Sequence, residues 1–358
     1  MASSPSKHIP YLDGWRGLAI IAVLVSHFKA TDQFTWLGGF GVQLFFVLSG
    51  FLMGNLLFIK KVPLKDFFVR RMSRVFPTFW VFVMAMAAYA AFLQPVHYVA
   101  TRAELLSTFT FLCNYFPVDL NIWHRAWPIG HLWSLSVEEH SYLLLAAGAV
   151  LVANLKNRYA GAAFLLVSTG VIMAINAYYP SHPPAGATPW FLRSESAAIG
   201  LIAAAAYRVT AASTQAKWIR ETSPWLPVLS FVMAIACYSI FAHKRLQYTV
   251  GPLCLAYSIN HLERMPQMIR TLLAGRVMQW FGVCSFSLYL WQQPIYYAVI
   301  EGRLPHIAGL AAAIAVGALS YYLFENPMRL YLNRKWSERR ALTAPVALAV
   351  PAAQAPMV

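Results

Sequence analysis

Long apolar stretches alternate with short basic segments from Leu18 to Phe324. A membrane-spanning helix needs about 20 predominantly apolar residues, and ten stretches of the chain meet this requirement. They lie near residues 13–30, 36–59, 75–94, 132–155, 160–178, 190–207, 225–242, 246–262, 277–300 and 305–325. The pattern therefore predicts an all-α fold, a polytopic transmembrane bundle of about ten spanning helices. Residues 104–116 are too few to span and predict a re-entrant or interfacial segment.

The domain organisation follows from the continuity of these stretches. No Gly/Ser-rich or acidic linker separates them, which predicts one transmembrane domain over residues 1–340. Residues 341–358 are rich in Ala and Pro, and the prolines disfavour another helix. We expect this segment to be a disordered cytoplasmic tail.

The Lys and Arg residues are concentrated in alternate loops. An even number of helices places both termini on one side of the membrane. The loops and ends on that side hold 20 Lys and Arg residues, against six on the other side and two within helices. Since basic residues accumulate on the cytoplasmic side, both termini are predicted to be cytoplasmic.

Composition supports the membrane assignment and limits the partners. The chain is 59% hydrophobic and 11% charged, whereas about a quarter of a soluble domain is charged. A net charge of +15 suits nucleic acid or a membrane surface, and the position of the basic residues between apolar segments favours membrane lipid and no nucleic acid. The four cysteines form no CxxC pair, which favours free thiols and predicts no metal site.

Two ionisable residues share a face of the first helix. A charged group at a helix centre costs about 2.5 to 3.5 kcal/mol on insertion scales, so it needs a compensating role. Arg16 and His27 are eleven residues apart, which returns to nearly the same face about 16 Å further along. Arg16 near the cytoplasmic mouth could hold a phosphate, and His27 could take a proton from a hydroxyl. A topology anchor and a helix-packing histidine are an alternative of about equal weight.

An acidic run marks the outer start of another apolar helix. Residues 133–140 place Glu138, Glu139 and His140 there. Glu138 is a candidate catalytic residue. A structural alternative is the helix macrodipole, which favours an acid near a helix N-terminus by about 0.3 to 1 kcal/mol.

Arginines also stand at two helix starts. Arg71 and Arg74 lie at an inner start, where their guanidinium groups suit the phosphates of a cytoplasmic donor, although they could be topology charges alone. Arg193 and Glu195 open another span, where a mutual ion pair is as good an interpretation as a functional role.

Seven motifs resemble those of the membrane-bound acyltransferase 3 family, in family order and over nearly the whole chain. They are Leu12-Asp13-Gly14-Trp15-Arg16-Gly17 with His27; Gly41 to Phe51; Arg70-Arg71-x-x-Arg74-Val75-x-Pro77; Trp133-Ser134-Leu135-x-x-Glu138 with Tyr142; Arg193-x-Glu195-x4-Gly200; Ser285 to Trp291; and Glu325-x-Pro327. The resemblance implies a bacterial inner-membrane enzyme that transfers an acyl group from acyl-CoA, expected to be acetyl-CoA, to a hydroxyl of a glycan or glycolipid. It implies no bound cofactor.

The resemblance also assigns roles to residues. It makes Arg16 and His27 the essential pair, with Arg71, Arg74 and Glu138 supporting donor binding or catalysis. We assign His27, Arg16 and Glu138 to catalysis, and Asp13, Arg71, Arg74, Trp133, Ser134, Tyr142 and Arg193 to substrate binding.

The chain departs from the family pattern at three positions. Gln292 stands where His is usual, so no acid or base role is carried over to it. Ser141 replaces an aromatic residue and His140 a common Gln, which could reshape the acceptor side. Some members of the family append an extracytoplasmic esterase-like domain; we expect none here, so that transfer finishes within the membrane domain.

Other interpretations of the same residues stay open. Direct transfer and a covalent acyl-enzyme are both compatible with them. So are an acyl relay that serves a separate enzyme and a transporter for an anionic glycan or lipid intermediate, because buried charges can also line a transport pathway.

Overall fold

The computed structural model describes residues 9–29, 31–93, 98–116, 127–178, 194–214, 221–239 and 242–343. Over these residues the chain forms helices and no strand. The helices are α1 (Pro10–Phe28), α2 (Trp36–Met53), α3 (Leu64–Phe92), α4 (Arg102–Phe109), α5 (Leu132–Ala153), α6 (Ala160–Tyr178), α7 (Ile199–Thr214), α8 (Leu226–Tyr238), α9 (Lys244–Tyr248), α10 (Val250–Asn260), α11 (Gln267–Leu273), α12 (Arg276–Ile300), α13 (His306–Ser320) and α14 (Asn326–Thr343). The predicted all-α bundle is confirmed.

Each of the ten predicted spans overlaps a helix. Helix α3 begins at Leu64 rather than near residue 75, so Arg71 and Arg74 lie within this helix and not at its start. Within the described part of the chain, six helical segments are long and apolar enough to cross a membrane, and they contain α2, α3, α5, α6, α7 and α13. The remaining predicted spans correspond to α1, α8, α10 and α12. The stretch predicted not to span overlaps α4, which has only eight residues.

Two of the helices continue through wider turns. A π-helical segment, Gly54–Ile59, extends α2, and another, Tyr321–Glu325, joins α13 to α14. Short π-helical segments are rare, and those that interrupt α-helices are frequently found at functional sites. Residues 344–358 lie outside the described residues, so the cytoplasmic tail stays a prediction.

Peripheral helices present apolar side chains outward. Ile307 on α13 is 85% exposed, Leu323 just beyond it 75%, and Val167 on α6 67%. Large exposed apolar surfaces of this kind mark contact with lipid or another apolar partner. The arrangement agrees with the predicted spans, since these side chains would face the lipid.

Small residues let neighbouring helices approach the backbone of α1 closely. A Cβ atom added to Gly17 would lie 2.1 Å from the carbonyl oxygen of Met278 on α12. One added to Gly282 would lie 1.9 Å from the carbonyl oxygen of Asp13. Glycine contacts of this kind allow close packing of helices in membranes. They hold the start of α1, with Asp13, against α12.

The orientation of the bundle can be tested by cysteine labelling. We expect both termini and the basic loops on the cytoplasmic side, because basic residues are retained there. In a cysteine-free background, a thiol introduced at Ser337 should be shielded from an impermeant reagent in intact cells, and a thiol at Arg303 should react. Lysed cells, in which both positions are accessible, provide the control. Labelling at Ser337 and protection at Arg303 in intact cells would reverse the proposed orientation.

Candidate active site

One cavity, which we call the inner cavity, lies among α1, α2, α3, α5 and α12. Its volume is about 140 Å³. Apolar side chains form most of its lining, and its polar residues are Arg16, Ser49, Arg71, Arg74, Ser134, Glu138, Tyr142, Ser285 and Tyr289. Six of the residues selected from the sequence therefore meet in one cavity: Arg16, Arg71, Arg74, Ser134, Glu138 and Tyr142.

A charged network fixes Arg71 at this cavity. Its Nη2 atom lies 2.8 Å from Glu139 Oε1 and 3.5 Å from Glu138 Oε2. Its guanidinium carbon lies 3.6 Å from the centre of the Tyr142 ring, a cation–π contact. Glu138 in turn accepts hydrogen bonds from the hydroxyls of Tyr142 and Ser49. The network connects α2, α3 and α5, so it is a structural element as well as a part of the cavity wall.

The position of Glu138 differs from the sequence interpretation in one respect. Glu138 was assigned to an outer helix start and Arg71 to an inner one, yet the two side chains meet within the bundle. The macrodipole interpretation is wrong, because α5 begins at Leu132 and has no acidic residue in its first turn. Specific ionic and hydrogen-bond partners compensate the carboxylates instead.

The other two arginines differ in how their charges are compensated. Arg16 Nη1 lies 2.8 Å from Asp13 Oδ1, one turn earlier on α1. Asp13, predicted to bind substrate, therefore compensates Arg16. Arg74 forms no ion pair with a carboxylate of the described residues. It is the arginine of this cavity best able to take an external anion.

The second cavity, which we call the outer cavity, contains His27. Its volume is about 540 Å³, and its polar lining includes Ser26, His27, Lys29, Thr35, His131, Trp133, Tyr289, Gln293, Tyr296 and Tyr297. His27 stacks on Tyr296 with ring centroids 4.5 Å apart. Its Nδ1 atom lies 2.5 Å from Gln292 Oε1.

The hydrogen bond to Gln292 determines which ring nitrogen of His27 can accept a proton. Gln292 is completely buried, and its amide nitrogen is directed toward the Tyr289 carbonyl oxygen and Gln293 Oε1, at 3.4 and 3.5 Å. The amide oxygen therefore faces His27 and accepts from Nδ1–H. In the neutral ring this leaves Nε2 as a proton acceptor. Gln292, which departs from the family pattern, orients the imidazole.

A thin wall separates the two cavities. Val42 and Tyr289 line both of them. The Tyr289 hydroxyl lies 2.6 Å from Ser134 Oγ and donates to the carbonyl oxygen of His131 at 2.8 Å. Trp133 lines the outer cavity and Ser134 the inner one. Arg16 and His27 therefore lie on opposite sides of this wall, although one helix carries both.

Sequence reasoning missed several residues of the site. Ser49 and Tyr289 lie within motifs that were noted for the resemblance, and only the structure gives them hydrogen-bond partners. His131 precedes the Trp133 motif and was not selected, because a single histidine at a helix start is a weak signal. Arg193 lies outside the described residues, and its proposed role stays a prediction. Glu195 contacts His140 Nδ1 at 2.9 Å and the Tyr115 hydroxyl at 2.6 Å.

The sequence of this chain matches the profile of one protein family. The acyltransferase domain profile matches residues 9–332, which is nearly the whole chain. The protein belongs to the membrane-bound acyltransferase 3 family. The resemblance to this family that the sequence motifs indicated is confirmed. Both cavities lie within the matched region.

Curated relatives of this chain are named as O-acetyltransferases. Peptidoglycan O-acetyltransferase OatA of Listeria monocytogenes is 26% identical over 90% of this chain and 56% of its own length. A putative peptidoglycan O-acetyltransferase of Bacillus subtilis, YrhL, is 25% identical over 93% of this chain and 57% of its own. A putative O-acetyltransferase of Staphylococcus aureus is 26% identical over 90% and 58%. The chain spans a little over half the length of these relatives, and no solved structure matches it.

The ionic network of Arg71 predicts a stability difference between two arginines. Arg71→Met should lower the free energy of unfolding by about 3 to 5 kcal/mol, because Glu138 and Glu139 lose their buried countercharge. Arg334→Met is the matched control, since Arg334 forms an ion pair with Glu338 on the surface of α14. The Arg334 side chain is 82% exposed. Its effect should be within about 1 kcal/mol. Thermal unfolding of the purified proteins in detergent compares them, and equal midpoints would contradict the structural role of the network.

Proposed function

We propose that this acyltransferase transfers an acetyl group from acetyl-CoA to a hydroxyl of a cell-wall glycan, with His27 as the general base. The observation that carries the proposal is the pair of cavities on either side of the wall of Val42 and Tyr289. One holds three arginines and the other an oriented imidazole. The names of the relatives support a peptidoglycan-type acceptor.

The donor fits the inner cavity by charge and by size. Guanidinium groups are suited to phosphate, and Arg74 has its charge uncompensated by an ion pair among the residues that the structure describes. The volume of about 140 Å³ resembles an engineered cavity of about 150 Å³ that takes benzene. The cavity can therefore take only part of the donor, such as the thioester end with a short acyl group, and the nucleotide has to lie beyond it.

The acceptor fits the outer cavity, where His27 Nε2 can accept a proton. The acceptor hydroxyl loses its proton to Nε2 as its oxygen attacks the thioester carbon. The carbonyl oxygen then carries the negative charge. When the C–S bond breaks, the CoA thiolate leaves and takes the proton from the imidazolium. The imidazole is regenerated, and the products are an ester and CoA thiol. Direct transfer of this kind needs no enzyme nucleophile.

Thioester consumption separates this proposal from the transporter alternative. Purified enzyme should release CoA thiol from acetyl-CoA only when a soluble peptidoglycan fragment is supplied, because the fragment provides the attacking hydroxyl. A transporter would move its cargo and leave the thioester intact.

Donor binding by Arg74 predicts a selective change in KM. Arg74→Lys should raise the KM for acetyl-CoA about tenfold and leave the acceptor KM nearly unchanged, because an ammonium cannot reproduce the planar, bidentate contact with phosphate. Arg70→Lys is the matched control, since Arg70 is an exposed residue one turn earlier on α3. Steady-state kinetics with each substrate varied in turn give both constants. An unchanged donor KM in Arg74→Lys would leave Arg74 only a topology role.

The base role of His27 predicts a loss of turnover without a loss of binding. A positioned base contributes about 10² to 10⁴-fold, so His27→Gln should lower kcat by that factor. Gln keeps a hydrogen-bonding amide but cannot take the proton at neutral pH. Acetyl-CoA binding to the purified variant, measured by calorimetry, should stay near the wild-type value.

The kcat of His27→Gln can also reject the role of His27 as the general base. If His27→Gln turns over at nearly the wild-type rate, then His27 has a packing role alone. The ester that forms should be checked by mass spectrometry of the acceptor fragment, so that hydrolysis of acetyl-CoA by water is not counted as transfer.

A further inference from the structure

One buried residue of the outer cavity has hydrogen-bonding groups that the protein leaves without well-formed hydrogen bonds. His131 directly precedes α5 and is 3% exposed. Within the described part of the chain, neither of its ring nitrogens makes a well-formed hydrogen bond, and the backbone polar group that interacts with the ring is that of Leu290 on α12. A neutral imidazole has one N–H donor and one bare nitrogen, and burying both without partners is costly. Buried polar atoms without partners are rare in native proteins, so this ring requires an explanation.

The surroundings of His131 hold the ring in place without satisfying it. Phe82 and Tyr289 contact the ring edge to face, with centroids 5.4 and 5.2 Å away. The backbone carbonyl of His131 accepts from the Tyr289 hydroxyl at 2.8 Å and from Ser134 Oγ at 3.2 Å. The main chain is therefore anchored to the wall between the cavities. The ring itself lines the outer cavity together with His27.

We propose that His131 is a second catalytic residue, whose ring N–H donates to the thioester carbonyl oxygen of the donor and stabilises the negative charge that forms there. This inference rests on the proposed function. Its basis is the position of a ring donor without a well-formed hydrogen bond beside the wall at which the thioester and the acceptor hydroxyl have to meet. His27 takes the proton of the hydroxyl, and His131 serves the oxygen of the carbonyl. His131 exchanges no proton and returns unchanged when the C–S bond breaks.

The energetic reason for such a residue is preorganisation. A donor already fixed among aromatic rings does not have to reorient during the reaction, and a dry site strengthens its interaction with a developing charge. Removal of one donor of this type costs about 10² to 10³-fold in kcat. A residue that held only the acceptor would instead affect the acceptor KM.

Three substitutions at His131 test the inference in the purified full-length protein, with acetyl-CoA as donor and a soluble peptidoglycan fragment as acceptor. His131→Phe fills the space without a donor and should lower kcat about 10² to 10³-fold, with both KM values nearly unchanged. His131→Gln restores an N–H at similar reach and should retain about tenfold more activity than His131→Phe. His131→Asn keeps the amide but shortens its reach. His306→Phe, at an exposed histidine at the start of α13, is the control and should act as wild type.

The outcomes separate this inference from the proposed function. A wild-type kcat in His131→Phe, or a change confined to the acceptor KM, would overturn the role of His131 and leave the role of His27 intact. If His131→Phe does not fold, then the comparison of the two amides decides. Higher kcat in His131→Gln than in His131→Asn supports the inference, and equal values overturn it. An undiminished kcat in His27→Gln would instead reject the proposed function itself.

Discussion

A guanidinium group among transmembrane helices has to find its countercharge within the protein, and Arg71 finds it in Glu138 and Glu139. This contact joins α3 to α5, and Ser49 extends it to α2 through Glu138. The inner cavity lies beside the network and depends on the same helices. Asp13 compensates Arg16 in the same way within α1. Arg74 forms no ion pair among the residues that the structure describes, so we expect an anionic donor to bind there.

The second constraint is the separation of the two cavities. The wall of Val42 and Tyr289 is thin, because each of these side chains lines both cavities. An acyl group could pass this wall more easily than a whole CoA molecule could. In the proposed function, the anionic donor approaches from one side of this wall and the hydroxyl acceptor from the other. His27 and His131 would then meet the reacting atoms on the acceptor side.

Much of this arrangement was predictable from local patterns. The long apolar stretches predicted the spans because lipid requires long apolar helices. Ionisable residues inside the spans identified Arg16 and His27, and arginines at a helix start identified Arg71. The pairing of Arg71 with Glu138 was not predictable, since it depends on how α3 and α5 pack. The same is true of Gln292 and His27, which are 265 residues apart in the chain. His131 gave no periodic or motif signal, and only its buried ring nitrogens, which lack well-formed hydrogen bonds, identify it.

The side of the membrane on which each substrate is used is the most direct test, because the proposed transfer places donor and acceptor on opposite sides of the membrane. Purified protein would be placed in sealed vesicles and its orientation determined. Acetyl-CoA, which does not cross lipid, would be supplied on the side to which the α14 end of the bundle projects. The account predicts that a peptidoglycan fragment enclosed on the opposite side becomes acetylated. Acetylation only of fragments on the same side as acetyl-CoA would contradict it.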